Sequence, residues 1–201
     1  MRTRLAAAVV VVLGVVGAST CYALTSVQWS SGVTTWHYNA DAPLRRPLGG
    51  SQSALCYLST ELARSGHEVT ILTGTKNPGV VNGVECLNLH QQHGMFFLER
   101  KFDVAIVLNS CVSGSRKSLY PASTRLILWT QHEPIQPAMQ KLTKPEIRDR
   151  WDGIVCVSDW QRQSYVDEFK VKPERLTVLR NAIAPSFEKL FLDRDDLARA
   201  K

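Results

Sequence analysis

Two nucleotide-binding signatures are missing from this sequence. It carries neither a Gly-x-Gly-x-x-Gly fingerprint nor a Walker loop, which argues against a lone nucleotide-binding domain. It also has no zinc-finger spacing, no aromatic RNP-like strand and no long basic helix. The net charge of +6 is therefore read as a solvated basic surface, and no nucleic acid is expected as a partner. Cysteine is sparse: Cys21, Cys56, Cys86, Cys111 and Cys156 are odd in number and irregular in spacing, which fits neither a disulfide framework nor a zinc site. They read as buried or free thiols in a reducing compartment. His90 and His93 have His-x-x-His spacing but no third ligand follows, so no metal site is expected. Repeats and low-complexity stretches are absent. What is present is a hydrophobic fraction of 44% against 21% charged, the balance of a chain with a real core; its 201 residues suffice for one domain plus a tail or anchor.

The chain opens on Met-Arg-Thr-Arg and then runs from Leu5 to Leu24 without a charge. Residues 1–24 are read as a hydrophobic N-terminal segment, and three interpretations stand side by side. A membrane anchor fits the length. A signal peptide fits the basic start, with Cys21-Tyr22-Ala23 a poor cleavage site. A misassigned start or a buried strand fits the valine block Val9 to Val12. Residues 25–201 form the expected domain.

Its organising stretch is Pro47-Leu48-Gly49-Gly50-Ser51, which leads into the first clear amphipathic helix. Ala54, Leu55, Leu58, Leu62 and Ala63 recur at helical spacing, Ser51 is placed as N-cap, and Gly66 stops the run. Before it, Val27 to Ser30 is a candidate first strand. The loop that follows, with Trp36, His37 and Tyr38, either lines a site or covers surface. After it, apolar runs at His67–Gly74, Val84–Leu89, Asp103–Leu108, Arg125–Thr130, Gly153–Val157 and Arg175–Leu179 read as strands. Turns are expected at Lys76–Gly79 and Asn82-Gly83. Ser158-Asp-Trp-Gln161 reads as a capping box opening a helix with Trp160, Tyr165 and Phe169 on its apolar side. Ser186 to Lys201 reads as a closing helix. Alternating buried strands and helices predict an α/β fold, an open and mostly parallel sheet with helices on both faces.

In such a sheet, ligands bind beyond the C-terminal strand ends. The loops there are Gly49 to Ser51, Asn109 to Ser113, Gln131 to Pro134 and Ser158. The adjacent glycines let backbone approach a ligand closely, and the helix start behind them suits a phosphate or carboxylate. His132 is the candidate hydrogen-bond donor or proton carrier; the alternative is a strand-end histidine bonded to a neighbouring carbonyl. Glu133 either orients His132 or is solvated.

The run from Pro47 to Leu55, continuing through Leu62-Ala-Arg-Ser-Gly-His-Glu-Val-Thr-Ile-Leu72, resembles the start of GT-B glycosyltransferases of the retaining family 4 type. The resemblance extends through Trp129-Thr-Gln-His-Glu133 and Ile154-Val-Cys-Val-Ser158 to Val178-Leu-Arg-Asn-Ala-Ile183, and covers roughly residues 47 to 191. It implies the Rossmann-like N-terminal, acceptor-side half of such an enzyme. His132 then takes the catalytic role of placing the transferred sugar, and Gly49, Gly50, Ser51, Glu133 and Ser158 are substrate-binding. The implied donor is a UDP- or GDP-sugar used as substrate, with no further cofactor. The acceptor is a glycan or a lipid-linked molecule. Three departures stand out: Ala182 replaces a glycine after Asn181, the first strand is unclear, and no two glutamates are eight positions apart as in the family's Glu-x7-Glu element. A truncated product or half of a split enzyme is expected, partnered by a separate donor-binding domain and inactive alone. The alternative is a noncatalytic, membrane-tethered binding module. Localisation is expected at a membrane with the domain cytoplasmic; the alternative is a soluble cytoplasmic protein.

Overall fold

Residues of strands in the middle of this chain are buried whichever way they point, and that property builds the fold. The computed structural model describes residues 21–25, 37–92, 96–111 and 120–182. The elements in chain order are β1 (Cys21–Thr25), α1 (Ala42–Arg45), α2 (Gly50–Arg64), β2 (Glu68–Thr73), β3 (Gly79–Val81), β4 (Val84–Asn88), α3 (Phe96–Glu99), β5 (Val104–Leu108), β6 (Arg125–Trp129), α4 (Pro145–Arg148), β7 (Gly153–Cys156), α5 (Asp159–Phe169) and β8 (Leu176–Val178). The sheet runs β3-β4-β2-β1-β5-β6-β7-β8. Every neighbouring pair is parallel except β3 with β4.

Side chains alternate between two cores because successive Cβ atoms point to opposite faces of a strand. Val104, Ile106 and Leu108 of β5, with Ile127 and Trp129 of β6, join Leu55, Leu58 and Leu62 of α2 on one face. Ala105, Val107, Leu126 and Leu128 join Tyr165 and Phe169 of α5 on the other. The sheet is thus covered on both faces, as the Rossmann-like reading requires. Leu55 and Leu62 are fully buried; truncating either to alanine would cost about 2–5 kcal/mol.

Local signals explain the boundaries. Helix α2 ends in a Schellman motif: Gly66, at φ +90°, donates its N–H to Ala63 O at 3.0 Å, and His67 donates to Leu62 O at 3.2 Å. Asn82 and Gly83, at φ 53° and 76°, make the tight turn that folds β3 back onto β4.

The sequence reading needs four corrections. Residues 21–24, assigned there to the hydrophobic segment, lie in β1, between β2 and β5 in the sheet; Tyr22 pairs with both Val69 and Val104. Ser51 is not the N-cap of α2. Gly49 is, without a side-chain cap, because the Ser51 hydroxyl is drawn across the sheet edge instead. Trp160 is 65% exposed rather than on the apolar side of α5. Gln161 does reach back from α5, but its Oε1 accepts from the Val157 N–H at 2.7 Å, one residue before the cap. The candidate strand at 27–30, the closing helix from 186 and His93 lie outside the described residues. Among the described residues no helix is long and apolar enough to cross a membrane.

Candidate functional site

The chain leaves β1 toward β2 on one side and later returns to lay β5 on the other side of β1, so the β1/β5 boundary is where connections part. Helix α2 starts beside it. Ser51, in its first turn, accepts a hydrogen bond from Asn109 Nδ2 at 2.9 Å and donates to Gln131 Oε1 at 3.2 Å. Asn109 Oδ1 in turn accepts from the Gln131 N–H at 2.7 Å. The ends of β5 and β6 and the start of α2 are thereby tied into one ring. Gln131 Nε2 extends it to Asn181 Oδ1 at 3.4 Å, beyond β8. Asn109 holds φ 55°, a left-handed conformation that asparagine tolerates better than most residues, and its N–H donates to Trp129 O at 2.9 Å.

The two glycines differ. A Cβ on Gly49 would lie 2.3 Å from Gln52 Oε1, so the buried Gln52 amide occupies the space a side chain would take. A Cβ on Gly50 would meet nothing within 4 Å. Gly50 is exposed and faces open space at the first turn of α2, where the backbone N–H groups precede the first intrahelical bond from Ser53 to Gly49 O.

His132 is half-buried one residue beyond the ring. Burial lowers its pKa from the ordinary 6.5, and Nδ1 is sealed from solvent without a hydrogen-bond partner among the described residues. The imidazole is therefore neutral at neutral pH, able to donate or accept but not to serve as a fixed cation. Its peptide is held from α5: Gln161 Nε2 and Tyr165 OH both donate to His132 O, at 2.8 and 2.9 Å. Ser158 caps α5 by accepting from the Gln161 N–H at 3.1 Å, so it acts on the same corner at one remove. Glu133 is exposed, and its carboxylate accepts no hydrogen bond from the sealed His132 Nδ1 among the described residues.

Gly49, His132, Glu133 and Ser158, on loops, and Gly50 and Ser51, in the first turn of α2, thus lie at one edge of the sheet. Sequence reasoning passed over Asn109, Gln131 and Gln161 as site-building residues. For Asn109 and Gln131, amides one or two residues beyond a strand end are the signal that was available. Burial pushes the Cys56 and Cys156 thiols up to about 12, which keeps both protonated at neutral pH. Among the described residues no group of three or more His, Cys, Asp or Glu is placed to hold a metal ion.

The profile of Glycosyltransferase Family 4 matches residues 48–187, most of the chain and all of the corner just described. The chain belongs to this family. No curated protein matches it. Among solved structures, this family 4 domain is similar to the glycosyltransferase from Rickettsia africae ESF-5, with a TM-score of 0.50 at 9% identity, covering 88% of this chain and 50% of that one. At that identity the likeness is one of fold. The family 4 domain spans about half the length of that glycosyltransferase.

Proposed function

We propose that this family 4 domain is the acceptor-side half of an enzyme that transfers a sugar from a UDP- or GDP-sugar to a glycan or lipid-linked acceptor. The observation that carries the reading is the convergence of the Gly49-Gly50 backbone, the Ser51–Asn109–Gln131 ring and His132 at the C-terminal sheet edge beside the crossover. In transfer, the bond from the sugar's anomeric carbon to the leaving phosphate breaks and a bond to the acceptor oxygen forms. The acceptor loses its proton and a nucleoside diphosphate is released. Charge develops on the leaving phosphate, and oriented N–H groups at a helix start stabilise such charge. Open space over Gly50 allows backbone approach there. A neutral His132 supplies a directed polar contact to the transferring sugar. Ser51, Glu133 and Ser158 border the same edge, Ser51 with its hydroxyl already engaged and Ser158 as a cap.

Transfer also requires that two substrates be held in reacting geometry. We assign the grip on the nucleotide to a second domain, present in cis or as a separate chain. On this reading the domain works where nucleotide sugars are made, on the cytoplasmic side, membrane-associated or soluble. The test is release of nucleoside diphosphate from a panel of donors by the 201-residue chain, with and without the second half. Turnover only with both halves is the expected result. Robust turnover by the 201 residues alone would refute the half-enzyme account. No gain on adding the second half would favour the noncatalytic binding module.

A further inference from the structure

His132 is held by more than a strand end. Its N–H donates to Thr130 Oγ1 at 3.1 Å, Thr130 Oγ1 and Tyr165 OH are 2.9 Å apart, and Tyr165 OH donates to His132 O at 2.9 Å. Counting protons gives the ring a direction. Each hydroxyl has one hydrogen. Tyr165 OH gives its hydrogen to His132 O at 2.9 Å, while Thr130 Oγ1 lies 3.4 Å from that oxygen and from Met139 Sδ; the shorter contacts therefore have Thr130 donating to the Tyr165 oxygen, which leaves a Thr130 lone pair for the His132 N–H. Gln161 Nε2 fills the second acceptor position of His132 O at 2.8 Å, while Gln161 Oε1 is fixed by Val157.

Thr130 and Tyr165 are fully buried and Gln161 is 3% exposed. A phenylalanine at 165 would fill the same space against Phe169, whose ring centroid is 5.1 Å from that of Tyr165. The phenol oxygen has its partners in Thr130 and in the His132 peptide, and burial keeps it protonated as a donor. Polar atoms in such a place are costly unless paired, and here the pairing closes on a single peptide. Both backbone groups of His132 are fixed, so the direction in which its Cα–Cβ bond leaves the chain is fixed too.

From this geometry we infer that Thr130, Tyr165 and Gln161 are positioning residues that aim the His132 imidazole at the sheet edge. The inference rests on the reading of His132 as a site residue, but its test does not depend on sugar transfer.

The test uses the full 201-residue chain as wild type, Tyr165→Phe, Thr130→Val and Thr130→Ser. The His132 imidazole signals are assigned by their loss in His132→Gln, and amide hydrogen exchange is followed residue by residue. Thr130→Val, which removes the acceptor of the His132 N–H, should speed exchange at that amide by about tenfold, the scale of one lost hydrogen bond; Tyr165→Phe, which frees the carbonyl and loosens Thr130, should speed it by less, and both should shift or broaden the imidazole signals. Thr130→Ser, which keeps the hydroxyl, should restore both. Amides of Leu128 and Phe169 should keep their wild-type exchange. Imidazole signals that stay as in the wild type would overturn the inference. So would a uniform rise in exchange through β6 and α5 with a lower Tm, because the hydroxyls would then serve general cohesion. Intact transfer by His132→Ala in a two-domain enzyme would sink the site reading instead, leaving the effect of the ring on the imidazole in place.

Discussion

Asn109 reaches Ser51 across the crossover of the sheet, its side-chain amide donating to the serine hydroxyl at 2.9 Å from a backbone held at φ 55°. Two costs can be separated at this residue. Asn109→Gly keeps the backbone at ease but loses the bonds to Ser51 and to the Gln131 N–H. Asn109→Ala loses the same bonds and also places a Cβ in the left-handed region, at a cost of roughly 1–2 kcal/mol. Urea unfolding should rank wild type above Asn109→Gly and Asn109→Gly above Asn109→Ala, the last gap being about 1 kcal/mol. Equal stabilities for the two variants would show that the conformation carries no cost.

Gly50→Ala separates stability from function. Its Cβ enters open space at the first turn of α2, and alanine suits a helix better than glycine by up to about 1 kcal/mol. The variant should melt at or above the wild-type temperature. In a two-domain enzyme it should nonetheless bind donor or acceptor more weakly, because the methyl occupies the space that substrate approaches. Unchanged kinetics would remove Gly50 from the site.

His132→Ala should lower turnover on the order of tenfold to a thousandfold in a two-domain enzyme, the range for one lost polar contact to a transition state. Its Tm should change little, since Gln161 and Tyr165 hold the peptide rather than the ring. Activity and stability lost in proportion would identify His132 as a packing residue.

The pH dependence of folding gives His132 an independent check. Its folded pKa lies below the ordinary 6.5 because burial penalises the imidazolium. As pH falls, the unfolded chain therefore takes up this proton first. The contribution is fully present above about 6.5 and is lost as pH drops through the folded pKa. Chemical denaturation of the wild type and His132→Gln should show the wild type losing stability relative to the variant between neutral pH and pH 5. A relative gain for the wild type on acidification would mean that the imidazolium has an anionic partner.

Much of this protein was legible in residue order. Val104 to Leu108 and Leu126 to Trp129 are short and apolar, and a strand buried on both faces has little other composition available to it. Gly66 after Leu62, and Asn82-Gly83 between two valine-bearing runs, mark positive φ where other residues pay for it. Those signals are local, so they survive without knowledge of the fold, and they placed the loops that carry Gly49, His132 and Ser158. Tertiary structure decided the rest. Ser51 reads as an N-cap until Asn109 and Gln131, far away in sequence, are brought beside it and compete for its hydroxyl. Cys21 to Leu24 read as the end of a hydrophobic leader until β2 and β5 offer partners on either side. Trp160 reads as core until α5 is turned so that Tyr165 and Gln161 face the sheet and the His132 carbonyl. In each case the residue's own chemistry allowed two outcomes. The choice fell to a hydrogen bond or burial made with residues far along the chain, which periodicity and spacing cannot encode.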